Sequence, residues 1–303
     1  MQLLEKLIRV HAPSGNETAM TEFLLNYIHA NSATWKVKPE LFYGVGFQNC
    51  IVMVFGNPTT AVFAHIDSIG FTVRYKNELV KIGGPHIEQG IKLIGTDNKG
   101  KIECELTVDE DENIKCEFER EIERGTDLTF KPYFREDENF IQSNYLDNRL
   151  GVWIALKLAE TLENGAIVFS CWEEHGGGSA GYLAKFLFEK HQIRQALICD
   201  ITWITEGVIH GDGVVVSMRD IGIRRKVFVD KIISILKKEK IIFQLEVEKN
   251  GGSDGTELQK IPYPIDWCFV GAAEDFVHSP NEKVHKKDIE SMLEAYRILM
   301  KEL

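Results

Sequence analysis

One apolar run, residues 166–172, closes on two adjacent carboxylates, Glu173 and Glu174, and then on Gly176, Gly177 and Gly178. A short apolar stretch with β-branched and aromatic residues, ended by glycine, reads as a buried strand. Ionised carboxylates at the mouth of a core strand are costly unless something positive pairs with them. No Lys or Arg lies close in sequence, so a metal ion is a candidate for the cation. One carboxylate would bind it while the other handles a proton.

Other apolar runs end in the same way. Residues 61–64 end at His65 and residues 196–199 at Asp200, while residues 267–273 lead shortly to His278. In open α/β sheets, ligands sit beyond the carboxyl ends of the strands. Neighbouring strand ends would therefore gather these groups into one crevice. Asp147, just before an apolar helix, adds a further carboxylate. Singly, each has a plain structural explanation: an Asp before a helix caps it, and a buried His is hydrogen-bonded core. An Asp after a strand starts a turn. Their coincidence supports a shared metal site.

From Asp147 onward the pattern alternates helix and strand, as in α/β folds. Helices are expected over 151–161, 180–188, 224–238 and 286–301, and strands over 166–172, 196–199, 214–218, 241–247 and 267–272. Upstream, 50–55 and 60–64 read as strands. Ser14-Gly15-Asn16-Glu17 fits a capping box before a helix carrying Met20, Phe23, Leu24, Tyr27 and Ile28. Between about residues 75 and 140 helical periodicity disappears. Short alternating stretches, 101–108 and 113–118, replace it. The expected organisation is a catalytic domain from residues 1–72 and 141–303, interrupted by a small β-rich domain at 73–140. Asp109-Glu110-Asp111-Glu112 reads as a solvated turn.

The 303 residues are 44% apolar, with a formal net charge of −11. That balance argues against nucleic acid or an anionic membrane as a main partner, since both need basic patches. The first residues are amphipathic and charged, unlike a signal peptide, and no run approaches the roughly 20 apolar residues of a membrane span. The six cysteines are scattered and form no C-x-x-C pair. Cys171, Cys199 and Cys268 lie inside apolar runs and read as reduced core residues, so the expected location is cytoplasmic.

Seven motifs, in order, extend this reading. They are Pro13-Ser14-Gly15-Asn16-Glu17, Ala64-His65-Ile66-Asp67-Ser68-Ile69-Gly70-Phe71, Leu146-Asp147-Asn148-Arg149-Leu150-Gly151, Glu173-Glu174-His175-Gly176, Cys199-Asp200-Ile201-Thr202, Gly251-Gly252-Ser253-Asp254 and His278-Ser279-Pro280-Asn281-Glu282. Through them the chain resembles the di-zinc aminopeptidases of the glutamyl and tetrahedral aminopeptidase family, some of whose members have been labelled endoglucanases. The resemblance implies two divalent metal ions, zinc by default with cobalt or manganese as substitutes. It implies that His65, Asp147 and Asp200 bind one ion and that Asp147, Glu174 and His278 bind the other, with Asp147 bridging. It also implies Glu173 as general base toward a metal-bridging water, and a free peptide N-terminus beside the second ion. Asp67, two residues beyond His65, is suited to accept the imidazole's other N–H. The expected fold is a three-layer α/β/α domain with a mixed sheet plus the inserted β-rich domain. Peptides are the expected substrates, and a homo-oligomer, up to a dodecamer, the expected assembly.

Four places depart from the family's usual pattern: Ser68, Trp172, His175 and Asp275-Phe276. All lie on what would be the substrate side. His175 reads as a third-site ligand, a substrate contact or a polar loop residue. Asp254 reads as a site residue or a helix cap. A di-metal deacylase or carboxypeptidase on the same scaffold is the enzymatic alternative, and an inactive metal-binding relative the other. Paired carboxylates also serve glycosidases.

Overall fold

The computed structural model describes every residue except Glu112. The chain starts with helices α1 (Gln2–Ile8) and α2 (Thr18–Asn31), then strands β1 (Glu40–Gly44), β2 (Gln48–Phe55) and β3 (Thr60–His65). Six strands follow that pair only with one another: β4 (Gly70–Val73), β5 (Leu79–Ile82), β6 (Lys92–Asp97), β7 (Gly100–Val108), β8 (Ile114–Glu117) and β9 (Asp127–Phe130). The chain then returns through β10 (Arg135–Glu136) and β11 (Phe140–Ser143) to α3 (Leu146–Ala159), β12 (Gly165–Ser170) and α4 (Ser179–His191). Strands β13 (Gln195–Ile198), β14 (Ile201–Trp203) and β15 (Val214–Arg219) lead to α5 (Lys226–Lys238) and β16 (Phe243–Val247). The last elements are α6 (Asp254–Leu258), β17 (Asp266–Asp275), β18 (Glu282–His285) and α7 (Lys286–Glu302). No helix among the described residues is long and apolar enough to cross a membrane.

The large sheet is mixed. Its centre is a parallel run in the order β12, β3, β13, β17, flanked by antiparallel β2, β15 and β18. Every residue of β3 and β12 is buried. A strand covered on both faces reads as a continuous apolar run, because each successive side chain enters one apolar layer or the other. Helices supply those layers: α3 packs on β3 and α7, α4 on β12 and α6. Each fully buried Ile or Phe of these strands contributes roughly 1.5–3 kcal/mol relative to exposure.

The six-stranded sheet is antiparallel, in the order β5-β4-β9-β6-β7-β8. A bridge between Glu78 and Lys115 brings its two edges together, so it closes into a small barrel. Phe71, Leu93, Leu106, Leu128 and Phe130 fill it. The alternating burial of β7 is the periodicity visible in the sequence. Asp109, Glu110 and Asp111 are exposed, and Asp109 accepts the amides of Asp111 (3.0 Å) and Asn113 (2.8 Å) in a turn. Glu112, the last residue of that expected turn, lies outside the described residues.

The capping box expected at Ser14 does not form. Helix α2 starts at Thr18 with Glu17 at its cap position and no side-chain cap bond. Ser14 instead donates its hydroxyl to Asp67, and Glu17 folds back onto the Gly15 amide (2.7 Å). As a cap, Ser14 would accept a helix N–H; instead its hydroxyl donates to the buried Asp67 carboxylate, a charge-assisted bond stronger than a neutral one.

Close approach of α3 to the end of β13 depends on Gly151, where a Cβ would meet the Cys199 carbonyl oxygen at 2.1 Å. Gly151→Ala should therefore push the helix away. The expected loss is about 1–3 kcal/mol, read by denaturant unfolding.

Candidate metal centre

The parallel register lines up the strand ends. Ser170 pairs with His65, and Ile198 pairs with both Phe63 and Phe269. His65 is the last residue of β3, Glu173 and Glu174 follow β12, Asp200 follows β13, and His278 follows β17. Asp147 comes from the first turn of α3, where its backbone is not yet helical (φ −77°, ψ 106°). Tyr145, Trp172, Phe276 and His278 all hold positive φ. Such non-glycine residues cost of order 1 kcal/mol or more each and cluster at functional sites.

These residues meet around Asp147. Its Oδ1 lies 3.1 Å from His65 Nε2, and its Oδ2 lies 3.3 Å from His278 Nε2. On the first side, Asp200 Oδ1 is 3.6 Å from His65 Nε2; on the second, Glu174 Oε2 is 3.1 Å from His278 Nε2. One atom each from His65, Asp147 and Glu174 also fall within 4.8 Å of one another, a group that crosses the two expected sets. The separate directions of the two Asp147 oxygens favour the two-sided division. Glu173 points into the same space, its Oε2 3.9 Å from His65 Nε2, with its side chain 18% exposed.

Asp67 does more than the sequence suggests. It is fully buried, and its Oδ1 lies 3.4 Å from His65 Nδ1. It also accepts the backbone N–H groups of Glu173 (3.2 Å) and Glu174 (3.1 Å). Burial would raise its carboxyl, but His65, the Ser14 hydroxyl and the Glu174 amide bring it below the usual range.

The electrostatics fit cations. Asp67, Asp147, Asp200, Asp254, Glu274 and Glu282 are all buried here, with Glu173 and Glu174 beside them. Arg149 is the buried arginine on this side. Its Nη1 donates to the carbonyls of Ile66 and Asp67, and burial pulls it down only to about 10, so it stays charged. Burial pushes Glu173 well above the carboxylate range, with Asp200 and Glu174 adding to the shift. Burial likewise lifts Asp200 to about 6. Burial opposes charging His278, yet Glu174 and Asp147 hold it up at about 12. Glu174 Oε1 is buried without a hydrogen-bond partner, and His65 Nδ1 faces only the Asp67 carboxylate at 3.4 Å. Two imidazoles and three buried carboxylates with contacts of 3.1–3.6 Å are a donor set for divalent cations.

Several neighbours carried no functional reading in the sequence. Arg149 fixes the two residues after His65. Asn148 donates to the Cys199 carbonyl (2.8 Å), tying α3 to the strand end that carries Asp200. Glu282 accepts the Asp147 amide (3.2 Å). Both Arg149 and Glu282 stood inside quoted motifs, which was the available signal. The Gly83-Gly84 segment before β6 packs on the site: the His86 amide donates to the His278 carbonyl (2.8 Å), and a Cβ at Gly84 would lie 3.3 Å from His278 Nδ1. His175 is exposed and accepts the Gly83 amide (3.0 Å), a contact to the small barrel's side. Asp254 does not cap α6; Ser253 does, and Asp254 bonds Ser170 beneath the site.

The family model of the M42 glutamyl aminopeptidases matches residues 85–294. The chain belongs to this family. It is a peptidase, in a metal-dependent family. An aminopeptidase from the archaeon Desulfurococcus kamchatkensis shares its fold with TM-score 0.87 and 20% identity, over 100% of this chain and 94% of the other. The Pyrococcus horikoshii TET1 peptidase, which can assemble into a tetrahedron or a large octahedral shell, matches with TM-score 0.83 and 20% identity over 100% and 99%. A Thermotoga maritima protein described as an endoglucanase matches with TM-score 0.75 and 17% identity over 98% and 96%. At these identities the likeness shows the M42 fold: a large mixed sheet with helices, and a separate six-stranded barrel.

Asp67→Asn should loosen His65 and both glutamates together. Outer-shell changes of this kind lower metal affinity about 10–100-fold, measurable by calorimetric titration of the metal-free protein. Because the ligands must shed protons, metal affinity should rise with pH, and protons should be released on binding.

Proposed function

We propose that this peptidase is a two-metal aminopeptidase. The observation that carries the reading is the Asp147 carboxylate, which offers one oxygen toward His65 and the other toward His278. His65, Asp147 and Asp200 would hold one cation, and Asp147, Glu174 and His278 the other, zinc by default. Each set leaves room for water or substrate, the arrangement of a catalytic site. Bound there, the ions would polarise a scissile carbonyl and bring the pKa of a water down toward about 7.

The chain's own groups do the rest. Glu173 takes a proton from the attacking water and delivers it to the departing amine as the C–N bond breaks. Asp67 keeps the imidazole of His65 in one orientation and fixes the backbone from which Glu173 and Glu174 diverge. The free substrate amine sits on the Glu174 and His278 side.

The expected bounds of 73–140 shift with the strand pairing, since β4 belongs to the barrel and β10 and β11 to the large sheet. We assign the barrel, residues 70–130, to an inserted unit that serves assembly and the rest to the catalytic unit. A homo-oligomer is the expected form, with the TET1 assemblies as precedent in the fold. All six cysteines are buried and free, which fits a reducing cytoplasm.

Glu173→Gln should keep both metals by elemental analysis and lose about 10²–10⁴ in kcat; His65→Ala should lose metal itself. Aminoacyl anilides should be cleaved and their N-acetylated forms should not. Equal cleavage of the blocked forms would point to a deacylase.

A further inference from the structure

The cavity that opens on Asp147, Glu173 and Glu174, with a volume of about 270 Å³, has a second wall that carries Glu246 and Glu248. That wall comes from β16, which pairs with β15, and is acidic. Glu246 on β16 is 4% exposed and lines the cavity. One of its oxygens accepts the Thr202 hydroxyl, and the Ser217 hydroxyl and the charge of Arg224 lie near the same carboxylate. Glu248, half-buried, lies beside it on the same wall. Asp220 is also there, but it is bound to Arg224 (2.6 Å) and accepts the Gly222 amide, so its charge is already answered. Neither Glu246 nor Glu248 has a Lys or Arg within 4.0 Å among the described residues. The surface between the metal-type residues and this wall is partly apolar, and Trp203 is its largest side chain.

We infer that this wall is the pocket for the first side chain of the substrate, and that it selects a basic residue, Lys or Arg. The inference rests on the aminopeptidase reading of the same cavity. With the amine and first peptide bond at Asp147, Glu173 and Glu174, the first side chain runs outward along the cavity. An aliphatic stem lies against Trp203, and the charged head reaches Glu246 and Glu248. Trp is the best aromatic partner for such a cation. A buried carboxylate that lacks a cation is a strong acceptor for one. A glutamyl side chain would place a third carboxylate against these two, and like-charge juxtaposition of that kind costs several kcal/mol. The pocket is therefore opposed in charge to the residue in the family's description.

The test compares kcat/KM for lysyl, arginyl, leucyl and glutamyl anilides with the zinc-loaded protein. Lysyl and arginyl substrates should exceed leucyl by about tenfold or more, with glutamyl lowest. Glu246→Gln and Glu248→Gln should each reduce the lysyl-to-leucyl ratio, and Glu248→Lys should raise the glutamyl-to-leucyl ratio. Glu248 is half-buried, so its variants keep the test open if Glu246→Gln fails to fold. A leucyl or glutamyl preference, or a ratio unmoved by all three variants, overturns the inference. Binding of lysinamide, leucinamide and glutamic acid α-amide, read by calorimetry, separates the two readings. If no anilide is cleaved, the aminopeptidase reading fails, while tighter binding of lysinamide still supports the pocket and equal binding refutes it.

Discussion

The buried carboxylate of Asp67 holds the site together. It meets His65 at the end of one parallel strand, and it accepts the backbone amides of Glu173 and Glu174 after the adjacent strand. Ser14, from the turn before α2, closes the same carboxylate from another direction. Arg149 holds the Ile66 and Asp67 carbonyls from within α3. Thus β3, β12, α3 and the N-terminal turn are tied at one point. The relative positions of His65, Asp147 and Glu174 follow from that tie. The parallel register of the strands and the Asn148 bond to the Cys199 carbonyl act in the same direction.

This arrangement conflicts with folding stability taken alone. Carboxylates without cations repel one another and resist burial. In this structure protons answer the repulsion. The imidazole of His278 is held charged, and Glu274 and Glu282 are pushed by burial well above the carboxylate range. Glu282 accepts the Asp147 amide, which ties the turn carrying the Asp147 carboxylate to β18. Divalent ions would take the place of the protons on the front side. The same logic divides the adjacent glutamates. Glu174 is nearly enclosed and faces His278, whereas Glu173 keeps access to the cavity.

Much of this was readable from the chain because buried parallel strands leave unbroken apolar runs. His65, Asp200 and Glu173-Glu174 each interrupt such a run at its end. The barrel was readable from the alternation along β7 and β8. What the sequence concealed were contacts between distant segments. Ser14 matches a local capping pattern, but its hydroxyl goes to Asp67, a partner from another element. Asp254 sits where a cap is expected, yet Ser253 takes that role and leaves Asp254 to Ser170. Arg149 stands in a helix that also carries Lys157, and nothing local marks it as fully buried. The short strands β10, β11 and β18 have little periodicity of their own and depend on the large sheet's edge. The acidic wall at Glu246 and Glu248 reads locally as ordinary strand-end charge, and only the cavity links it to the site.

The central claim is that two cations share Asp147. Anomalous X-ray diffraction at the zinc edge, from crystals grown with zinc, tests it most directly. Two peaks should flank the Asp147 carboxylate, one on the side of His65 and Asp200 and one on the side of Glu174 and His278. A single peak, or peaks that do not touch Asp147, would contradict the account.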